Sequence, residues 1–308
     1  MQTTAGIREQ DRILAEDTLK YLYHCEEQGQ PATAEGLAAA EQIPGAQAQR
    51  ILETLQQAGL ATAQNARFNL TEAGRSYALQ VIRAHRLYET YLAQETGYDE
   101  QRWHQRAHAK EHQLTPQQVN DLAGQLGHPR YDPHGDPIPT AEGRMPPLRG
   151  VSLLKWPTGK PALVTHVEDE PETVYAQLAA LGVGPGIILR VLTADPQRLT
   201  LEIEGEQHVL APLLAANVTV TEPTDELRGL IATPLSAQPS GQRCRVLRLS
   251  PRCRGAERRR LMDLGFVPGT TVEVELRGPF GDPTAYRVRD TLVALRREQA
   301  NWVLVETL

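Results

Sequence analysis

Residues 33–70 read TAEGLAAAEQIPGAQAQRILETLQQAGLATAQNARFNL, and the order of the signals within them decides the fold of the N-terminal part. A short helix is expected over 33–41. The tight turn Gln42-Ile43-Pro44-Gly45 then leads into a longer helix over 46–59 that stops at Gly59. With a first helix over 10–28, this is the helix-turn-helix order. Residues 60–70 alternate around Gln64-Asn65 as a β-hairpin does, which predicts a wing. If the third helix enters a major groove, its exposed early residues are Ala46, Gln47, Gln49 and Arg50. Glutamine and arginine suit the purine edges and alanine suits a thymine methyl, while Arg67 on the wing would reach a phosphate or the minor groove. The competing reading is three packed helices with solvated glutamines and no role on DNA.

Outward from this segment, the first 128 residues are rich in Ala, Gln, Glu and Leu at helical spacing. Residues 150–308 are richer in Val, Gly and Pro, with alternating runs such as Thr271–Leu276. Between them HPRYDPHGDPIPTAEGRMPPLRG reads as a linker, and a shorter break follows at 221–229. The second half repeats itself. Pro157-Thr158-Gly159-Lys160 and Pro239-Ser240-Gly241-Gln242 each precede an L-x-x-L-G-x-x-P-G stretch, Leu178–Gly186 and Leu261–Gly269. A helix stopped by Gly and a Pro-Gly turn that launches a strand, given twice, suggest two small barrels. The expected fold is therefore multidomain α+β: a winged helix-turn-helix over 1–75, an all-α domain over 76–140, and two small β-barrels over 150–222 and 232–308.

At 308 residues the chain is long enough for several cores. Its net charge of −6 argues against simple nucleic-acid binding, and residues 1–75 hold six cations against ten acids. Any DNA contact must rest on local placement. Cys25, Cys244 and Cys253 form no C-x-x-C pair, which excludes a cysteine-based zinc site and leaves packing as their role. No apolar run approaches the roughly eighteen residues of a membrane span and the N-terminus is polar, so no membrane insertion and a cytoplasmic location are expected. The run 243–260 carries eight arginines against Glu257, a solvated face or a surface for nucleic acid, an acidic partner or a membrane-protein loop.

Four of the nine histidines fall between 85 and 112. His85 and Glu89 stand at i and i+4. His104, His108, Glu111 and His112 stand at i, i+4, i+7 and i+8, so two helices each present imidazole and carboxylate on one stripe. Mixed nitrogen and oxygen donors suit a divalent first-row ion. The order H-x-x-E-H also occurs in a family of zinc peptidases, so an enzyme is a rival reading, although no substrate loop or second acid accompanies it.

The segments LKYLYHCEEQG, LTEAGRSYALQVIRAHRLYETYL, the H-x-x-x-H-x-x-E-H helix and HPRYDPHGDPIP resemble the diphtheria toxin repressor family of iron- and manganese-dependent regulators. The stretch from LSAQPSGQRCRV through LMDLGFVPGTTVEV to ALRREQANWV resembles the FeoA domain, an SH3-like barrel, and the first barrel matches it more loosely. The resemblance implies a repressor that is no enzyme, a helical dimerisation domain, a homodimer on a palindromic double-stranded DNA operator, and Mn(2+) or Fe(2+) as cofactor with Zn(2+) or Co(2+) able to substitute. It implies a primary site of Asp17, His108, Glu111 and His112, and a second, separable site of His85, Glu89 and His104. A barrel carboxylate, Glu170 or Glu172, would complete the second site. His108 stands where iron-type members carry Cys and manganese-type members Glu, and Lys20 where a manganese-type member carries a second carboxylate. Without metal, Asp17 and Glu16 are expected to add negative charge near DNA. The alternative function is a metal-transport accessory or adaptor whose FeoA-like barrels bind a protein partner.

Overall fold

The computed structural model describes residues 9–224, 232–278 and 280–308, so residues 225–229 of the second break lie outside the described residues. The chain divides into two compact units. One comprises residues up to Tyr91, Arg102–Asp132 and Pro137–Pro146; the other comprises Leu92–Gln101, Pro133–Asp136 and the chain from Pro147 onward.

The first unit opens with α1 (Glu9–Glu27), α2 (Ala34–Ala40) and α3 (Gly45–Gln57). Thr33 caps α2 by accepting from the Gly36 amide, and Leu19, Leu22, Leu37, Leu52 and Leu55 from the three helices close one core. The wing follows as β1 (Ala61–Gln64) and β2 (Arg67–Leu70). Its turn is Asn65-Ala66, both at positive φ, one residue later than the expected Gln64-Asn65. Burial sets this register: Phe68 and Leu70 must face the core, which pairs Ala63 with Phe68 and Gln64 with Arg67. At the start of α4 (Glu72–Glu95), Gly74 packs so closely on the Leu60 carbonyl that a Cβ would lie 1.9 Å from its oxygen.

Two further helices, α5 (Trp103–Glu111) and α6 (Pro116–Gln125), complete the unit, and Val119 and Ala123 of α6 pack with Ala84 and Leu87 of α4. The segment expected to be a linker contains no helix or strand, yet much of its first half is buried. Its backbone is satisfied from outside: Arg86 donates to the Pro137 carbonyl at 2.6 Å and Arg83 to that of Pro139 at 2.7 Å. Proline removes donors but leaves acceptors, and the arginines of α4 supply what the segment lacks.

In the second unit two six-stranded sheets share one topology. The first contains β3 (Val151–Ser152), β4 (Pro161–Val167), β5 (Ile188–Ala194), β6 (Leu199–Ile203), β7 (Glu206–Leu210) and β8 (Val218–Thr221), with α7 (Glu172–Ala180) and α8 (Pro212–Ala216) between strands. The other contains β9 (Thr233–Pro234), β10 (Arg243–Leu249), β11 (Thr271–Arg277), β12 (Thr284–Val288), β13 (Thr291–Leu295) and β14 (Val303–Thr307), with α9 (Gly255–Asp263) and α10 (Arg297–Asn301). The order β3-β8-β4-β5-β6-β7 is repeated as β9-β14-β10-β11-β12-β13. Even the irregularities recur, with bulges after Val164 and Val191 in one sheet and after Val246 and Val274 in the other. Each sheet has its own apolar core, and all three cysteines are buried as thiols.

Among the described residues no helix is long and apolar enough to cross a membrane.

Candidate metal centre

Helix α1 is amphipathic in an unusual way. Ala15, Leu19, Leu22 and Tyr23 enter the core, while the neighbouring stripe buries Glu16 and Asp17 as well. Buried carboxylates are costly unless partnered, and their partners come from the end of α5. Trp103, Ala107 and Glu111 form the buried stripe of α5, and His112 caps its C-terminus.

One donor atom each from Asp17, His108, Glu111 and His112 lies within 4.8 Å of the others. His112 Nε2 stands 3.3 Å from both Asp17 Oδ1 and Glu111 Oε1, and His108 Nδ1 stands 3.3 Å from Glu111 Oε1 and 3.8 Å from Asp17 Oδ1. Asp17 Oδ1 and His112 Nε2 are buried and make no hydrogen bond. Buried polar atoms are rarely left so, and here they converge on one point. Two imidazoles and two carboxylates that surround a common centre and leave these atoms unsatisfied fit a divalent ion.

The remaining atoms of these side chains are held in place. His112 Nδ1 hydrogen-bonds Glu16 Oε2 at 2.6 Å, and Glu16 Oε1 accepts from Tyr77 at 2.6 Å and from Arg12 at 2.8 Å. Arg12 also donates to the His112 carbonyl at 2.9 Å. This fixes Nε2 as the free face of the ring, as outer partners of metal-binding histidines do. Glu16 is itself buried among Arg12, Tyr77 and His112.

Charge follows geometry. Burial opposes a charged His112, but the carboxylates of Asp17 and Glu16, with Glu111 beside them, raise its pKa to about 9. An ion taking Nε2 must displace that proton, so binding is favoured as the pH rises. Burial likewise pushes Glu111 upward, but hydrogen bonds from His108 and His85 and the charges of His85 and Lys20 hold it well below the usual carboxylate range.

A second cluster lies beside the first. His85 Nε2 is 3.1 Å from Glu89 Oε1, His104 Nδ1 is 3.5 Å from the same oxygen, and the two rings meet edge-on at 4.8 Å. The single stripe read along α5 thus divides, His104 going to one cluster and the later residues to the other. The two groups have the residues expected of them, and one hydrogen bond links them. His85 Nδ1 hydrogen-bonds Glu111 Oε2, while Glu111 Oε1 faces the first cluster.

Glu170 and Glu172 fall in no donor cluster among the described residues. Both are exposed, Glu172 in the first turn of α7. It is the preceding carboxylate, Asp169, that approaches a buried histidine, His134, at 3.6 Å. On the reading helix Ala46, Gln49 and Arg50 are exposed and Gln47 is half-buried, while Arg67 is exposed on the wing. Part of the basic run is spent within its own unit. Arg259 pairs with Glu95 at 2.7 Å, Arg245 with Glu306 at 3.1 Å, and Arg254 donates to the Pro251 and Pro133 carbonyls.

A winged helix-turn-helix whose first helix shares a histidine-carboxylate cluster with a later helix is the architecture of metal-dependent transcriptional regulators. Residues 71–140 match the iron dependent repressor, metal binding and dimerisation domain, and residues 233–307 match the FeoA domain. Over about two thirds of its length the chain is similar to members of the diphtheria toxin repressor family, and its C-terminal part matches a FeoA domain. It is 28% identical over 218 residues to the iron-dependent repressor IdeR of Mycobacterium tuberculosis (strain ATCC 25618 / H37Rv), covering 66% of this chain and 94% of that protein. A solved manganese-dependent transcriptional repressor in complex with manganese superposes with a TM-score of 0.62 at 29% identity, over 68% of this chain and 100% of that one. The C-terminal part is 38% identical over 74 residues to an Fe(2+) transport protein A/Fe(2+) transporter FeoB fusion protein of Porphyromonas gingivalis (strain ATCC BAA-308 / W83), covering 24% of this chain and 8% of that protein.

Proposed function

We propose that this chain is a divalent-metal-dependent, DNA-binding transcriptional repressor of manganese or iron homeostasis, working in the cytoplasm as a homodimer on a palindromic operator. The observation that carries the reading is the meeting of Asp17, on the first helix of the DNA-reading part, with His108, Glu111 and His112 at the end of α5. Asp17, His108, Glu111 and His112 hold Mn(2+) or Fe(2+), with Zn(2+) or Co(2+) able to substitute; His85, Glu89 and His104 form the second site. The assigned parts are the reader at 1–75, the dimerisation and metal domain at 76–140, and SH3-like barrels at 150–222 and 232–308.

A bound divalent ion supplies positive charge and a fixed set of bonding directions. Asp17 is then held to α5, and α1 is packed through Leu19 and Leu22 on the core that also contains Leu52 and Leu55 of α3. The orientation of the reading helix thereby depends on the first cluster. Gln47, Gln49 and Arg50 read base edges, Ala46 meets a thymine methyl, and Arg67 contacts the backbone or minor groove.

An enzymatic role has little support, because Glu111 is engaged by Lys20 on one oxygen and His85 on the other rather than standing free as a general base. The transport-accessory reading loses the basic run as its main argument, since several of its arginines bind within the unit. The test is retention of labelled operator DNA by the purified chain with Mn(2+), with Fe(2+) and with chelator. Retention with metal alone is expected. Equal, salt-sensitive retention with chelator would refute the proposal.

A further inference from the structure

Lys20 stands inside the first cluster although an ammonium offers no lone pair to a metal. It follows Asp17 by one helical turn on α1, and its Nζ donates to Glu111 Oε1 at 2.7 Å. The Glu111 side chain is fully buried, whereas that of Lys20 keeps 25% of its exposure. The oxygen it binds is the one 3.3 Å from His108 Nδ1 and from His112 Nε2, so it faces the centre of the cluster. The other Glu111 oxygen is taken by His85.

We propose that Lys20 is the resident counter-cation of Glu111 and sets the threshold at which a divalent ion enters the first cluster. The inference rests on reading that cluster as an ion site. A buried carboxylate needs a cation, and in the absence of metal the ammonium provides one. It also adds a flexible contact to the ties that Glu16 and Arg12 make between α1 and the end of α5. An arriving ion must share Oε1 with the ammonium or displace it, and the two positive charges repel at short range in a poorly screened site. Lys20 therefore weakens ion binding while stabilising the metal-free protein.

A purely structural ion pair makes the opposite forecast for metal. Removing it would leave Glu111 uncompensated, loosen the cluster and weaken ion binding. The two roles are separated by titrating the full chain with Mn(2+) alone, following the signal of the free ion by electron paramagnetic resonance, and recording Tm in chelator. Lys20→Met is expected to lower the metal-free Tm and to bind Mn(2+) on the order of tenfold more tightly. Lys20→Arg, which keeps the charge, should stay near the wild-type affinity. Lys20→Gln, closer in polarity, repeats the test should the Met variant not fold. Unchanged or weaker binding in the folded neutral variant overturns the role given to Lys20. Absence of Mn(2+) uptake that Asp17→Ala abolishes in an otherwise wild-type chain overturns the ion site itself and the inference with it.

Discussion

Glu111 of the first donor cluster hydrogen-bonds His85 of the second, and the two clusters differ in nearly everything around that link. In the first, His112 is locked by Glu16, Glu16 by Tyr77 and Arg12, and one ligand comes from α1. In the second, all donors come from α4 and α5, and His104 keeps 36% of its side-chain exposure. Only the first cluster includes a group from α1, so only an ion there would hold α1 directly. The second reaches α1 only by way of the His85–Glu111 hydrogen bond and the Glu111–Lys20 ion pair. The lesson is that the clusters are unequal partners, one transmitting and one supporting.

The comparison breaks most completely at Glu111. Glu111→Gln keeps the shape but removes the charge on both faces of the linking group. Mn(2+) uptake at the first cluster should fall by at least a hundredfold, roughly the upper range for loss of a key group at a metal site, and uptake at the second should fall too. Equilibrium dialysis with Mn(2+) reads both. A second cluster that titrates as in the wild type would show that the linking carboxylate does not couple them.

A smaller effect sharpens the contrast in preorganisation. Glu16→Ala frees the Nδ1 side of His112 and unties α1 from Tyr77, so affinity at the first cluster should drop about ten- to a hundredfold, the usual cost of an outer partner. The second cluster has no contact with Glu16 and should keep its affinity. Calorimetry with Mn(2+) distinguishes the two; an equal loss at both would mean that Glu16 acts on the general fold.

Weaker still is the reverse route. His85→Ala removes a ligand of the second cluster and the Oε2 partner of Glu111, so the second site should be lost and the first weakened by roughly tenfold at most. DNA retention should then need more Mn(2+) but reach the same plateau. An unchanged metal requirement would show that the two sites are independent, as the family resemblance implies.

How far these relations are legible in the chain depends on their range. The i, i+4 spacing of His85 and Glu89 and of His104 and His108 marks helical faces, because helix geometry is local. The division of α5 between two clusters is not local: it depends on where α1 and α4 pass. Glu16 reads as a surface charge because its partner, His112, is remote in sequence and near only in the fold. The duplicated sheets are legible from Leu178–Gly186 and Leu261–Gly269, where the turn demands Gly and Pro, as the matching Gly186 and Gly269 hydrogen bonds to Val164 and Val246 bear out. The wing turn was displaced by one residue because core burial of Phe68, a tertiary effect, sets its register.

The finest distinction between the clusters concerns which ion each prefers, and it turns on His108. Its side chain keeps 46% of its exposure, the most of any donor in the first cluster, and it is the ligand least held by others. A change there should alter metal ranking more than metal retention. An imidazole is accepted by manganese, iron, cobalt and zinc alike, a thiolate favours softer ions, and a carboxylate favours manganese. Raw affinity favours zinc over manganese or ferrous iron, so discrimination has to come from coordination number. Manganese and ferrous iron readily take more ligands than the four that satisfy zinc, and an ion content with four has less need of Asp17. Zinc should thus bind tightly yet activate DNA retention less per ion bound. His108→Cys should shift the ranking of DNA retention toward zinc, and His108→Glu toward manganese, each by only a few-fold change, about what one exposed ligand among several contributes. The second cluster, with no residue altered, should keep its ranking in both variants and serve as the internal control. If neither substitution moves manganese, ferrous iron and zinc relative to one another, His108 does not touch the ion, and the first cluster is a three-residue site built on Asp17, Glu111 and His112.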